Sequence, residues 1–127
     1  MDRYAVLVFR GQAMEQEEQV AMARQFGPLN PGLKQIGRQQ ERMRERELID
    51  ISNLDAEGRP MTADTKKMVS QLANQLWHSD SSFQSPAVSY SMLNCLRPTS
   101  WGGETEFADL RAAWDTLPER LRATVRG

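Results

Sequence analysis

The chain has 127 residues, a formal net charge of −1, an apolar fraction of 39% and one cysteine. This length suits a single domain, and the near-neutral charge excludes a protein that binds nucleic acid through bulk positive charge. One cysteine excludes an internal disulfide and agrees with a reducing compartment.

The first predicted elements are a strand over residues 4–9 and a helix over residues 15–26. The strand is rich in β-branched and aromatic residues, is too short to cross a bilayer and is not preceded by a signal peptide. Glutamates in the first turn of the helix favour the positive end of its dipole, and Gly27-Pro28 ends it. We therefore expect a soluble, cytoplasmic protein with no membrane partner.

Residues 28–47 predict a long mobile loop, with a short helical segment near residues 39–47. Arginines and glutamates alternate there, so their fields cancel and a solvated surface is favoured over a nucleic-acid partner. The alternating residues are Arg38, Glu41, Arg42, Arg44, Glu45, Arg46 and Glu47. A strand over residues 48–52 and a turn over residues 53–60 follow.

The second half predicts a helix over residues 62–72, capped by Thr62 or Asp64, and later a helix over residues 109–117 capped by Asp109. The first has Met68, Val69 and Leu72 on its apolar side. The second has an apolar face of four residues, namely Leu110, Ala113, Trp114 and Leu117. A further short helix opens at Pro118-Glu119.

Three more strands are predicted between these helices, over residues 75–79, 88–96 and 104–108. Short strands with intervening helices predict an α+β fold with a mainly β core. Cys95 lies in the strand over residues 88–96, where we expect a buried core thiol rather than a catalytic one.

The chemistry of this chain centres on His78, the only histidine, and Asp80. Side chains two positions apart in extended chain point to the same side, so one imidazole nitrogen and one carboxylate oxygen could bind one metal ion. They are two of the three ligands in the two-histidine, one-carboxylate sites that hold ferrous iron in oxygenases. Ser79, Ser81 and Ser82 could orient the ligands. A simple hydrogen bond between imidazole and carboxylate is the alternative.

A second candidate segment is Gly102-Gly103-Glu104-Thr105. Paired glycines allow the backbone to pass close to a ligand or to form a tight turn. The hydroxyl of Thr105 either donates to a carboxylate ligand or belongs to an ordinary strand residue.

Residues 74–109 resemble the iron(II)- and 2-oxoglutarate-dependent dioxygenases of the taurine and 2,4-dichlorophenoxyacetate type, particularly the 2,4-dichlorophenoxyacetate branch. The resemblance extends through nearly the whole chain and is weakest over residues 34–47. Its segments are residues 77–83 (WHSDSSF), 105–109 (TEFAD), 6–12 (VLVFRGQ), 26–29 (FGPL) and 50–53 (DISN).

The resemblance implies a double-stranded β-helix, or jelly roll, with flanking helices. It implies that His78 and Asp80 are iron(II) ligands and that Thr105 helps to hold a carboxylate of 2-oxoglutarate. Lys34 and Arg59 lie near positions where herbicide-degrading relatives place basic residues that contact the substrate carboxylate, although solvated surface charges are the alternative for both.

The implied reaction uses iron(II), 2-oxoglutarate and dioxygen to hydroxylate a small carboxylate substrate, with release of succinate and carbon dioxide. For an aryloxyalkanoate such as 2,4-dichlorophenoxyacetate, the products are a phenol and glyoxylate, a reaction of aromatic compound degradation. A taurine-type sulfonate substrate is an alternative, and whether the parent enzyme is a homo-oligomer stays open.

The second histidine of the iron site, the arginine for 2-oxoglutarate and the later strands of the family have no counterpart in this chain. Residues 1–127 are therefore expected to be an N-terminal to middle fragment, a partial dioxygenase domain with an incomplete jelly roll. Such a fragment should be inactive and poorly folded by itself. The alternative is a non-catalytic, degenerate jelly-roll module.

Overall fold

The computed structural model describes residues 3–30 and 42–126. The chain divides into two compact units, a central unit of Ala13–Cys95 and a terminal unit of Met1–Gln12 with Leu96–Gly127. Helices α1 (Gln16–Arg24) and α2 (Lys66–Ala73) belong to the central unit. Helices α3 (Leu110–Thr116) and α4 (Glu119–Arg126) belong to the terminal unit.

Helix α1 confirms the predicted first helix and begins where its acidic residues indicate. The carboxylate of Glu18 accepts a hydrogen bond of 2.8 Å from the backbone N–H of Glu15, which satisfies a free donor at the helix start. Val20 is buried, with 3% of its surface exposed. Gln19 beside it donates to the carbonyl of Met92 at 3.3 Å. The helix is thereby joined to a segment far away in the sequence.

Helix α2 begins four residues later than predicted, and its cap is neither Thr62 nor Asp64. Thr65 caps it, because its backbone is extended and its hydroxyl accepts from the N–H of Met68 at 3.2 Å. Val69 and Leu72, predicted to lie on an apolar packed side, are 56% and 53% exposed. Hydrophobic burial therefore contributes little to the position of this helix.

Helices α3 and α4 lie where the capping signals place them. Asp109 caps α3 by accepting from the N–H of Arg111 at 2.9 Å. The guanidinium of Arg122 on α4 lies 5.6 Å from the ring centre of Trp114 and donates to the carbonyl of Leu117. The predicted buried face of α3 is wrong in part. Leu110 and Ala113 are exposed, whereas Trp114 and Leu117 are half-buried.

The five predicted strands form no ladder in the described residues, so the predicted mainly β core is not seen there. The one β-type pairing between described residues is an isolated antiparallel bridge between Leu54 and Pro60. A strand is stable only beside a partner, and jelly-roll strands pair mostly with segments distant in sequence. Cys95 is exposed rather than in a core, because no sheet covers it.

The predicted helical segment near residues 39–47 lies partly outside the described residues, and residues 42–47 form bends and turns. Among residues 3–30 and 42–126, no helix has the length and apolar character needed to cross a membrane.

Candidate metal centre

The segment that carries the candidate ligands leaves directly from the C-terminal end of α2. The turn beyond the helix stays hydrogen-bonded, since the N–H groups of Asn74, Gln75 and Leu76 each donate at 3.1 Å to carbonyls three residues earlier. Residues 77–79 then have no regular secondary structure, and a turn begins at residue 80. The backbone of Ser81 adopts the left-handed conformation, with φ 51°.

This short irregular stretch brings the side chains of His78 and Asp80 together. Nε2 of His78 lies 3.3 Å from Oδ1 of Asp80, and the two side chains are 48% and 62% exposed. Both donor atoms are therefore close together and open to solvent.

The other ring nitrogen of His78, Nδ1, is hydrogen-bonded to a nearby backbone carbonyl. Nδ1 lies 2.7 Å from the carbonyl oxygen of Leu76, and a carbonyl can only accept, so Nδ1 carries the hydrogen. In the neutral imidazole Nε2 then has a bare lone pair, which faces a carboxylate oxygen. Two lone pairs at this distance repel each other; water weakens this repulsion at so exposed a pair, and a metal ion or a proton between the two atoms would remove it.

The pair fits two adjacent positions of a metal site. Two donor atoms that bind one divalent transition-metal ion at about 2.1 Å, and at about a right angle, lie about 3.0 Å apart. The observed 3.3 Å between Nε2 and Oδ1 is close to that separation. Among residues 3–30 and 42–126, no further cysteine, aspartate or glutamate lies close enough to the pair to form a group of three metal-binding residues.

The surroundings of the pair differ from the predicted support. The hydroxyl of Ser82 donates to the carbonyl of Ser79 at 3.3 Å rather than to a ligand. Trp77, next to His78, is 70% exposed and therefore shields the pair little from water. The support that the structure does show is the Leu76 carbonyl, which the sequence pattern did not single out because a backbone acceptor has no residue signature.

Thr105 belongs to the terminal unit, where it is exposed in the irregular segment before α3. The paired glycines before it have φ of 69° and 78°, a conformation that side chains rarely adopt, so they form a tight turn. Thr99 closes this turn by donating from its hydroxyl to the carbonyl of Gly102. The role of Thr105 toward 2-oxoglutarate stays a prediction.

Arg59 lies in the turn over residues 53–61 and is engaged with its neighbours. It pairs with Asp55 and Glu57, each at 3.0 Å. The backbone N–H of Arg59, followed by its side chain, lowers the pKa of Asp55, and the hydrogen bond that the guanidinium donates to Asp55 raises the pKa of Arg59. Its predicted contact with substrate would have to compete with both carboxylates. Lys34, the other predicted substrate contact, lies outside the described residues.

A further cluster of charges was not found from the sequence. The carboxylate of Asp50, whose side chain is 10% exposed, accepts from Lys67 at 3.1 Å and from Arg42 at 3.5 Å. Lys67 also donates to the carbonyl of Leu54 at 3.0 Å. Asp50 lies 8 positions from Arg42 and 17 from Lys67, and that spacing is not a local motif.

Comparisons with known proteins give a family. A family model described as "Taurine catabolism dioxygenase TauD, TfdA family" matches residues 1–127. The chain is 49% identical to an alpha-ketoglutarate-dependent 2,4-dichlorophenoxyacetate dioxygenase of Burkholderia sp. (strain RASC), over 100% of this chain and 43% of that protein. It is 36% identical to an (S)-phenoxypropionate/alpha-ketoglutarate-dioxygenase of Sphingobium herbicidovorans, over 96% of this chain and 38% of that protein.

A third relative is a pentalenolactone F synthase of Streptomyces arenae, which is 32% identical over 96% of this chain and 39% of that protein. The chain thus spans less than half the length of the curated relatives that it matches. No solved structure matches it.

Proposed function

This chain belongs to the taurine catabolism dioxygenase TauD, TfdA family, and on that premise we propose that it supplies two iron(II) ligands, His78 and Asp80, to a 2-oxoglutarate-dependent dioxygenase acting on an aryloxyalkanoate. The observation that carries the proposal is the pair itself. Nε2 of His78 and Oδ1 of Asp80 lie 3.3 Å apart, while Nδ1 is already bound to the Leu76 carbonyl. The free ring nitrogen therefore faces the carboxylate, as two ligands of one ion would.

The names of the relatives support the cosubstrate and the substrate class. Two relatives, at 49% and 48% identity, are called alpha-ketoglutarate-dependent 2,4-dichlorophenoxyacetate dioxygenases. Two more, at 36% and 30%, carry the name (S)-phenoxypropionate/alpha-ketoglutarate-dioxygenase. All four act on an aromatic ring joined through an ether oxygen to a short carboxylic acid. We extend this class, with 2-oxoglutarate and dioxygen as cosubstrates, to the protein that contains this chain.

Each residue of the chain then has a distinct part. His78 and Asp80 hold the ion, and the Leu76 carbonyl keeps the imidazole proton on Nδ1 so that Nε2 stays available. The hydroxyl of Thr105 donates to a carboxylate of 2-oxoglutarate. Iron(II), when bound, supplies the redox chemistry by which dioxygen oxidises 2-oxoglutarate to succinate and carbon dioxide and hydroxylates the substrate. Hydroxylation beside the ether oxygen gives a hemiacetal, which breaks into a phenol and glyoxylate.

The proposal requires a third ligand, because three protein ligands are usual for this type of iron site. We place that ligand, and the strands that complete a jelly roll, in the remainder of a protein of the relatives' length. A non-catalytic jelly-roll module is the second candidate. It is favoured by the lack of a third ligand beside the pair within residues 3–30 and 42–126.

Substitution of the two ligands in a protein of the relatives' length tests the proposal. With iron(II), 2-oxoglutarate and 2,4-dichlorophenoxyacetate, we expect His78→Ala and Asp80→Ala each to lower phenol release at least about 100-fold, because second-shell changes alone cost 10 to 100-fold. Asp115→Ala, which removes an exposed carboxylate from α3, is the matched control and should retain activity.

Two outcomes would contradict the proposal. Full activity in either ligand variant would remove that residue from the metal site. Succinate release with taurine but not with an aryloxyalkanoate would assign the other substrate class of the family. A parent protein without iron-dependent turnover of either substrate would favour the non-catalytic module.

A further inference from the structure

Helix α2 is fixed at its first turn by a long-range ionic contact. Nζ of Lys67 donates to Oδ2 of Asp50 at 3.1 Å and to the carbonyl of Leu54 at 3.0 Å. Arg42 donates to the same oxygen at 3.5 Å and to the hydroxyl of Ser52 at 3.1 Å. Because Asp50 is nearly buried, water competes weakly for these contacts.

The opposite end of α2 leads to the imidazole through continuous hydrogen bonds. The helical hydrogen bonding extends beyond Ala73 as far as the N–H of Leu76. The carbonyl of Leu76 then accepts from Nδ1 of His78 at 2.7 Å. The imidazole is thus attached to the turn that follows α2.

The position of α2 depends on its polar contacts more than on packing. Val69 and Leu72 are each more than half exposed, and Met68 is half-buried. A helix with so little apolar burial gains little free energy from one particular position. Lys67, which joins the helix to Asp50 and Leu54, therefore has a large share in determining where its C-terminal end lies.

We propose that Lys67 and Asp50 are positioning residues for His78 and act through α2 (Lys66–Ala73). The contact holds the helix so that the Leu76 carbonyl meets Nδ1, which keeps the proton on that nitrogen and directs Nε2 toward Asp80. Neither residue touches the ion. The proposal rests on the proposed function for its consequence, metal binding, whereas the tautomer of His78 can be measured without metal.

Nitrogen-15 NMR of a protein of the relatives' length, labelled at histidine and free of metal, reads this tautomer, and the resonances that are absent from His78→Ala are those of His78. Protonated and bare ring nitrogens resonate at well-separated frequencies. In spectra that show a neutral imidazole, we expect the proton on Nδ1 in the unmodified protein. Lys67→Met, which keeps the aliphatic stem but removes the donors, should give a mixture of the two tautomers.

Two further variants make the test specific. Lys66→Met removes the neighbouring, exposed lysine of the same helix turn and should leave the spectrum unchanged. Lys67→Arg keeps a cation that can reach Asp50 and should retain the Nδ1 tautomer. In a protein of the relatives' length, we expect Lys67→Met to weaken binding of cobalt(II), used as a probe for iron(II), by about 10-fold, as for other residues that orient metal ligands.

The proposal would be overturned if Lys67→Met keeps the helical circular dichroism of the unmodified protein and still has the proton of His78 on Nδ1. If Lys67→Met loses helix signal, Asp50→Asn decides instead, because it removes the charge and preserves the shape. A retained Nδ1 tautomer in that variant would overturn the proposal, and a mixed one would support it. Failure of the proposed function can be distinguished from failure of this proposal. If His78 is not a metal ligand, His78→Ala leaves cobalt(II) binding intact, whichever tautomer the NMR spectrum shows for the unmodified protein.

Discussion

Two charge clusters in the central unit of the chain differ in their exposure to solvent and in the sequence separation of the residues that they pair. Arg59 pairs with Asp55 and Glu57, four and two positions away, and its side chain is 71% exposed. Lys67 and Arg42 pair with Asp50 across 17 and 8 positions, and the Asp50 side chain is 10% exposed. The first cluster closes a turn on itself, whereas the second joins separate segments.

The difference shows where a charge pair can influence a site. An exposed pair between near neighbours is screened by water and constrains only the turn that contains it. A partly buried pair between distant segments constrains both segments, and one of them, α2, leads to His78. We therefore expect changes in the Asp50 cluster to affect stability and the candidate metal centre, and changes in the Arg59 cluster to remain local.

The largest expected effect follows from Asp50→Ala. It leaves the cations of Lys67 and Arg42 without their carboxylate in a partly buried place, and we expect a loss of about 2 kcal/mol in the free energy of unfolding. Urea unfolding of a protein of the relatives' length, monitored by circular dichroism, measures this loss. Asp55→Ala, which removes the carboxylate of the exposed cluster, is the matched control and should shift the midpoint much less. Equal shifts in the two variants would contradict the comparison.

A smaller effect is expected from pH at the exposed cluster. The pKa of Asp55 is lowered, first by the backbone N–H of Arg59 and then by its side chain. A carboxylate with a lowered pKa in the folded state adds stability above its ordinary pKa of about 3.9, and this stability is lost as the pH falls through the folded value. The turn over residues 53–61 should therefore open below about pH 4.

Amide hydrogen exchange at Met61, whose N–H donates to the carbonyl of Asn53 at 2.8 Å, reports the opening of this turn. In Arg59→Met the titration of Asp55 should move only part of the way to its ordinary pKa, because the backbone N–H of residue 59 remains. A titration that returns fully to the ordinary value would show that the guanidinium, and not the backbone, is the main cause.

The smallest expected effect is that of Arg59→Ala on substrate binding. Asp55 and Glu57 already accept hydrogen bonds from its guanidinium, so we expect KM for an aryloxyacetate to change about twofold or less. Steady-state kinetics of a protein of the relatives' length checks this. An increase in KM of about tenfold or more, the loss expected for a charged hydrogen bond, would make Arg59 the substrate contact suggested by the family resemblance.

Much of the helical structure could be predicted because helix ends are local. Glu15 and Glu18 start α1, and Asp109 caps α3, through contacts within three residues. The approach of His78 and Asp80 could also be predicted, since residues two positions apart need no sheet partner to meet. The strands could be predicted only as tendencies, because pairing depends on segments far away in the sequence.

From the sequence alone follow the family, the helix starts and the closeness of one imidazole to one carboxylate, all of which depend on residues near one another in the chain. The structure alone decided that Lys67 meets Asp50, that Arg59 is held by its own turn, and that the Leu76 carbonyl accepts a hydrogen bond from Nδ1. The first contact joins segments 17 positions apart, so it depends on the three-dimensional path of the backbone. The other two join near neighbours, but they depend on how a turn folds and, for Leu76, on an acceptor that every residue possesses.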